Sequence, residues 1–447
     1  MLRHLLYALL LVFLFTIKSI SSEGEIKLSL EEAIRIALKN NHEIKALTNS
    51  VLAEGSDVGI SRSSLLPKIN MEERFVRTNN PTDVFSIKLN QQRFSMSDFD
   101  IPNLNNPDPI SDFQTTFSVE QPIVAIKEIL TLKSSNKDFQ AAGEDLNRKR
   151  EAVAFRVVQS YIAVRIAKEF VGVAQKAIDD AKENLRIAES RYKKGLGLFS
   201  DTLRASTSVT EAEQQLVSAI KDMKVAKRAL GVILGMTESV DVDEQPIDIP
   251  LADIDYYREE SLSREDIRSM ESRYEGARLD VRSYESGYIP TVGVGGTYQL
   301  NDQNAPFGAE GNSWFVMAFL RWEIFNGGKR EYERARAKHK AAEVKEQLDG
   351  LKNAVSFQVF QSHLGVEEAQ KNVELAESSL KTAEEGTRLV KLRYQNSLSP
   401  FVDLLNAQVN LERARANSVA KKNEYKLAIV ALSFESGTIL KDLGIED

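Results

Sequence analysis

VVQSYIAVRIAKEFVGVAQKAIDDAKENLRIAESRY (Val157–Tyr192) and VFQSHLGVEEAQKNVELAESSLKTAEEGTRLVKLRY (Val359–Tyr394) are two versions of one pattern, held at an offset of 202 positions. In the first, Val157, Val164, Val171, Ile178, Leu185 and Tyr192 recur every seven residues, and Ser160, Ala167, Ala174, Ala181 and Ala188 take the small positions between them. In the second, Val359, Val366, Val373, Leu380, Thr387 and Tyr394 are the large members, with Ser362, Ala369, Ala376, Ala383 and Val390 as the small ones. A seven-residue alternation of bulky and small side chains specifies long helices that pack closely over many turns. The register continues through a short turn into a second helix, to Ala212 in one copy and Ala414 in the other. Two tandem hairpins of this kind mark a duplicated building block.

Outward from the hairpins the same order appears twice. Leu28 to Ser64 reads as a helix, with Ser29 and Glu32 spaced as a capping box and Ala33, Ile34, Ala37 and Leu38 as its apolar stripe. Ile69, Met71 and Phe75 alternate loosely with charged residues, and Phe113, Thr115, Phe117 and Val119 alternate with polar ones, giving two strand candidates within 65–121. Asn79 to Ile110, rich in Asn, Asp and Pro, reads as a long exposed loop. A long helix from Val124 to Lys193 follows, on the order of 100 Å at about 1.5 Å per residue. The turn KKGLGLFS leads to a helix from Ser200 to Leu234. The second half repeats the order: a helix from Ile254 to Glu285, strands within 289–325 (Val292 to Leu300 and Trp314 to Ile324), a helix from Gly328 to Gln395, the turn NSLSP and a helix from Phe401 to Leu432. The halves thus span 28–235 and 254–434, with irregular segments expected at 235–255 and 435–447. The shorter helices are about half the length of the long ones, so pairs of them stacked end to end could flank each long helix.

Met1 to Ser22 has the make-up of a signal peptide: Arg3 and His4, an apolar run from Leu5 to Phe15, then small polar residues. The run is too short for a comfortable transmembrane helix. Export is the expectation, with mature sequence 23–447. No cysteine exists to form a disulfide, bind a metal or carry a lipid anchor. Loss of Arg3 and Lys18 would take the net charge from -7 to -9, and this acidity argues against nucleic acid as a partner.

Four strands of about ten residues have the length to cross an outer membrane at a tilt. Four strands cannot close a barrel, and an open sheet in lipid leaves unpaired backbone groups costing several kcal/mol each. A spanning role therefore requires several chains to share one barrel, with Arg74, Arg321 and Glu323 facing a wet lumen or an interface. The other reading is a small soluble sheet capping a coiled coil.

RYKKGLGLFSDTLRA (Arg191–Ala205) and RYQNSLSPFVDLLNA (Arg393–Ala407) resemble the two tip motifs of the TolC-type outer membrane efflux proteins. LSREDI (Leu262–Ile267) resembles that family's segment before the third strand, and FNGGKR (Phe325–Arg330) its strand-to-helix entry. The resemblance covers essentially the whole mature chain. It implies a mainly α fold with a small β part: long antiparallel helical hairpins forming an α-barrel, plus four transmembrane β-strands per chain closing as a trimeric twelve-stranded β-barrel. It also implies a homotrimer in outer membrane lipid, extending into the periplasm. Its partners would be a periplasmic adaptor and an inner membrane pump of RND or ABC type, and no cofactor is expected. The function implied is a passive exit duct of a tripartite efflux or secretion system. The alternative is a non-transporting periplasmic coiled-coil scaffold or adaptor protein.

By the resemblance, Asp403 aligns with an acid of the periplasmic constriction, while its companion position carries Asn406, which halves the acidic charge. Asp201 aligns with an acid that hydrogen-bonds a tyrosine of the second hairpin, here Tyr394, and the family's basic latch residue falls at Ser399. Both acids equally suit the first turn of a helix, where a carboxylate gains about 0.3–1 kcal/mol from the dipole. Ser399 before Pro400 likewise suits an N-cap and first-turn proline. Arg191, Gly195, Leu196 and Gly197 in one tip, with Arg393, Ser397 and Leu398 in the other, resemble the adaptor-contacting positions. Glycine and small polar residues are also what any tight reversal needs. Tyr192 and Tyr394 continue the heptad stripe and read as core.

No catalytic constellation is evident. His4, His42, His339 and His363 are scattered, and no H-E-x-x-H occurs. GVGG (Gly293–Gly296) lies within a strand, where close packing is a better reading than phosphate binding.

Overall fold

The computed structural model describes residues 26–243 and 251–445. Residues 1–25, which include the signal-peptide candidate at 1–22, residues 244–250 of the proline-bearing linker and the last two residues lie outside that range. The chain divides into two compact units, one containing 149–262 and 355–447 together with the N-terminal segment to Lys45, the other containing 46–148 and 263–354.

In the first unit, β1 (Ile26–Leu28) precedes α1 (Leu30–Asn40), and β4 (Val240–Val242) follows α6 (Phe199–Ile233). The two strands pair in parallel. Alternation over three residues is too short to register in sequence, so Leu28 read as helix and 240–242 as linker. The Ser29–Glu32 capping box is formed, with the Glu32 amide donating to Ser29 Oγ at 3.2 Å and the Ser29 amide donating to the Glu32 carboxylate at 2.8 Å. The expected single helix is interrupted at Asn41, before α2 (His42–Ser63). There Asn41 Oδ1 accepts the Glu43 amide at 2.9 Å, while its Nδ2 donates to the Ile233 carbonyl at 3.1 Å. An internal N-cap is competitive with helix continuation because an asparagine side chain replaces the lost backbone acceptor.

The first long helix, α5 (Ile126–Lys193), buries Val153, Val157, Tyr161 and Val164 in this unit. Tyr161 donates to Asp243 at 2.7 Å and to the Leu28 carbonyl at 3.2 Å, so it ties the helix to the β1–β4 pair. Burial, then the neighbouring Asp243, pushes its phenol well above the usual tyrosine range. α7 (Ile254–Ser261) ends before Leu262, and α8 (Glu265–Glu285) begins afresh, where a single helix read in the sequence. Arg264 and Asp266 pair at 2.8 Å across that start. The C-terminal segment is also more ordered than expected: α10 (Phe401–Ser436) outlasts Leu432, and a short α11 (Ile439–Asp442) buries Ile439.

The second unit holds a four-stranded antiparallel sheet in the order β2 (Lys68–Thr78), β3 (Ile110–Val124), β5 (Thr291–Asp302) and β6 (Gly311–Arg321). Its register sorts the side chains. One face carries Ile69, Val119 and Val316 in one row and Met71, Phe117, Tyr298 and Trp314 in the next, all exposed. The other carries Glu72, Thr116, Gln299 and Ser313, and then Arg74, Gln114 and Asn301. On that polar face Gln114 and Asn301 each donate to Asp112 at 2.8 Å, and Arg74 donates to Gln114 at 3.0 Å. The sorting is not complete: Glu73, which Thr115 bonds, and Asn312 share a row of the apolar face, while Phe315, Met317 and Phe319 of β6 lie on the polar one. Gly293 leaves room for a neighbour, since a Cβ there would meet the Phe319 ring at 2.4 Å. Glu323, read as a strand residue, lies past the end of β6.

The expected loop at 79–110 is partly helical, with α3 (Pro81–Asn90), a 3-10 turn at Met96–Phe99 and α4 (Ile101–Asn105). Asn80–Pro81 opens α3 as N-cap and first-turn proline, Asn80 Oδ1 accepting the Thr82 amide at 3.1 Å. Lys88 and Asp98 pair at 2.7 Å, and Val84, Ile87 and Ile110 form a small core beneath. The second long helix, α9 (Lys329–Gln395), starts where Arg330 donates to the Gly287 carbonyl at 2.6 Å and stacks 4.3 Å over Tyr288.

Glu43 binds both Arg156, at 2.8 Å, and Lys149, and the Arg156 bond leads in holding its carboxyl down from 4.5 to about 2. A depressed carboxylate stabilises the fold above its unfolded value and loses that contribution as pH falls through the folded one. In Glu43→Gln, the deficit in Tm relative to the native sequence should therefore be full at pH 6 and vanish between 4.5 and about 2. Thermal unfolding followed by circular dichroism across that window checks it.

Candidate gate at the helical tips

Both hairpins turn by the same backbone path. In the first, the Gly195 amide donates to the Tyr192 carbonyl at 2.9 Å and the Leu196 amide to the Arg191 carbonyl at 2.8 Å. In the second, Ser397 donates to Tyr394 at 3.1 Å and Leu398 to Arg393 at 2.8 Å. Gly195 has φ +73°, and Ser397 takes φ +60° in its place, so the left-handed position is kept with a side chain present. Gly197 is closely packed, because a Cβ would approach that of Arg191 to 3.1 Å.

Below the turns, Ile187, Ala188 and Ala205 of the first hairpin pack with Tyr394, Phe401 and Leu404 of the second. Further along, Ala177, Ile178 and Ala181 pack on Ala212, with Val209 and Leu216 beside them. The heptad positions thus meet, but Tyr192 does not join the core its register suggests. It is 48% exposed, against 2% for Tyr394.

Arg191 ties the tips together. Its guanidinium donates to the Tyr394 carbonyl, to the Gln395 carbonyl at 3.0 Å, to the Leu196 carbonyl at 2.8 Å and to Ser397 Oγ at 3.0 Å. It also lies 4.5 Å over the Tyr394 ring. Within one chain Arg191 is thus bonded to the second tip. The expected Asp201–Tyr394 bond is not formed: the buried Tyr394 hydroxyl has no hydrogen-bond partner among the described residues. Burial first, then the charge of Asp201, raises its phenol above the usual range.

Neither helix after a turn has a side-chain N-cap. α6 is preceded by Leu198 and α10 by Pro400 itself, so Ser399 falls outside the cap and its buried hydroxyl is unpaired. Asp403, Asn406, Arg393, Leu196 and Leu398 are all exposed. One rung farther from the tip, Arg415 pairs with Asp180 at 2.6 Å, and Gln408 donates to Asp180 and Glu412 at 3.3 Å each. Burial raises the Glu412 carboxyl. These residues were invisible in sequence because the long helices carry many charges, and only their inequality between the repeats sets them apart. Among the described residues no cluster of His, Asp and Glu is placed to hold a metal.

The outer membrane efflux protein family model matches residues 33–236 and 257–438. The chain belongs to that family. Its relatives include the alkaline protease secretion protein AprF of Pseudomonas aeruginosa, 19% identical over 93% of this chain and 86% of that one. The pyoverdine export outer membrane protein OpmQ of the same species is 21% identical, over 87% of this chain and 81% of its own. Among solved structures, the Campylobacter jejuni CmeC outer membrane channel superposes with a TM-score of 0.74 at 18% identity, covering 94% of this chain and 91% of that one. The fold of this outer membrane efflux protein is therefore that of the solved channels, and the family is one of transport proteins.

Arg191→Gln should loosen the tip by about 1–3 kcal/mol, since hydrogen bonds to a charged donor are being removed. At that lower bound, tryptic cleavage after Lys193 and Lys194 should run at least about fivefold faster than in the native sequence. Unchanged cleavage would mean the guanidinium holds nothing together.

Proposed function

We propose that three copies of this chain assemble into one duct: a twelve-stranded barrel through the outer membrane, continued by a tunnel of twelve helical strands in the periplasm. The observation that carries this reading is the sheet, mainly apolar on one face, mainly polar over β2, β3 and β5 on the other, and open at both edges, β2 and β6. The apolar rows suit lipid and the Arg74–Gln114–Asp112 face suits a wet lumen. Pairing β2 of one copy with β6 of the next leaves no edge. Two similar halves per chain would make the helical part nearly sixfold, which suits a cylinder.

The duct conducts passively. A periplasmic adaptor and an inner membrane pump, of RND or ABC type, supply the cargo and the energy. The naming of relatives as secretion and export proteins supports this assignment. Gly195, Leu196, Gly197 and Ser397, Leu398 offer the adaptor a small-residue turn with an exposed leucine at each tip. Asp403 and Asn406 stand in the first two turns of α10, where an exposed carboxylate can set the charge of the opening.

Membrane fractionation tests the assembly: a heat-resistant trimer in the outer membrane is expected, and a soluble periplasmic monomer would overturn the proposal. For the constriction, Asp403→Ala should raise single-channel conductance in planar bilayers and weaken cation preference. Unchanged conductance and selectivity would leave Asp403 as a helix-terminus residue only.

A further inference from the structure

The two tips match in register and backbone path, yet one is covered and the other bare. Tyr394 and Phe401 pack at 5.2 Å between ring centroids with an interplanar angle of 52°, and both are 2% exposed beneath Arg191. Their equivalents Tyr192 and Phe199 pack almost identically, at 5.3 Å and 45°, but are 48% and 55% exposed. The equivalent of Arg191 is Arg393, which is exposed and whose guanidinium has no hydrogen bond, ion pair or ring contact among the described residues.

We propose that Arg393 latches onto the first tip of a neighbouring copy of this chain, closing over its Tyr192–Phe199 pair as Arg191 closes over Tyr394–Phe401 within one chain. The inference rests on the ring of copies proposed above, in which first and second tips alternate. The acceptors follow from the register. Arg191 uses the carbonyls of Tyr394 and Gln395, so Arg393 would use those of the neighbour's Tyr192 and Lys193, together with its own Leu398 carbonyl in place of Leu196. An exposed aromatic pair and an unused guanidinium on the same chain are complementary, each supplying what the other tip lacks.

The two latches are unequal. Ser397 Oγ accepts from Arg191, whereas its equivalent is Gly195, which has no hydroxyl. Lys193 and Lys194 also stand where the second tip has the neutral Gln395 and Asn396, so the guanidinium approaches like charge. The seam between copies is thus the weaker one, and the gate opens there first.

The chain has no cysteine of its own, which makes a proximity test direct. A Lys193→Cys, Arg393→Cys chain treated in membranes with a short bis-maleimide should run as linked dimers and trimers on a denaturing gel. An Arg191→Cys, Gln395→Cys chain, probing the equivalent contact within one copy, should give no such ladder. A native trimer without the ladder overturns the Arg393 contact and leaves the ring standing; a native monomer overturns the ring and the contact together. Because the cysteine variant removes the guanidinium, Arg393→Gln is measured as well. It should raise single-channel conductance while the trimer persists, and Arg393→Lys should raise it less. Native conductance in Arg393→Gln would contradict the latch.

Discussion

Backbone N–H and C=O groups along the outer edges of β2 and β6 must find partners once the apolar face of the sheet meets hydrocarbon. Among the described residues of one chain no strand pairs across either edge, because the sheet order ends at those two strands. Helices satisfy their own backbone, so α5 and α9 impose no such demand. The sheet does, and in the duct we propose the requirement passes from it to the assembly: copies would meet edge to edge, and the helices that follow the strands would then stand in a ring. The polar network of Asp112, Gln114 and Asn301 on one face and the Met71–Phe117–Tyr298–Trp314 row on the other would set which way such a ring faces.

Duplication answers the geometry economically, but it leaves each chain with two versions of every contact. At the tips those versions are made with different strength. Arg191 meets two carbonyls and a hydroxyl of the second tip, while Arg393 and the Tyr192–Phe199 pair wait uncovered. Asp180 and Arg415 form a rung whose counterparts, Thr382 and Glu213, cannot form one. If the tips of three copies close as proposed, alternating strong and weak seams would let that end open at the weak ones without unpacking the hairpins. That division suits a gate whose frame must survive each opening.

The long helices and the hairpin register were legible because a heptad repeated over many turns is a long signal, and Val157, Val164, Val359 and Val366 are buried as it implies. Strand existence was legible from alternation, and Arg74 lies on the polar face as a spanning strand would need. Short features escaped. The three-residue strands β1 and β4 carry no period, and Asn41 breaks a helix whose apolar stripe runs on regardless. Asn80–Pro81 resembles a turn as much as it resembles the start of α3. At the tips, the candidate positions could be named but not their partners. Arg191 differs from Arg393 only in what lies across from it, and that is set by tertiary packing.

Amide hydrogen exchange of the edge strands in the outer membrane form tests the account at its base. If β2 and β6 of neighbouring copies pair, their amides should be as protected as those of the central strands β3 and β5. Rapid exchange confined to β2 and β6, in a protein whose β3 and β5 are protected, would mean that the sheet stays open and that no barrel is closed.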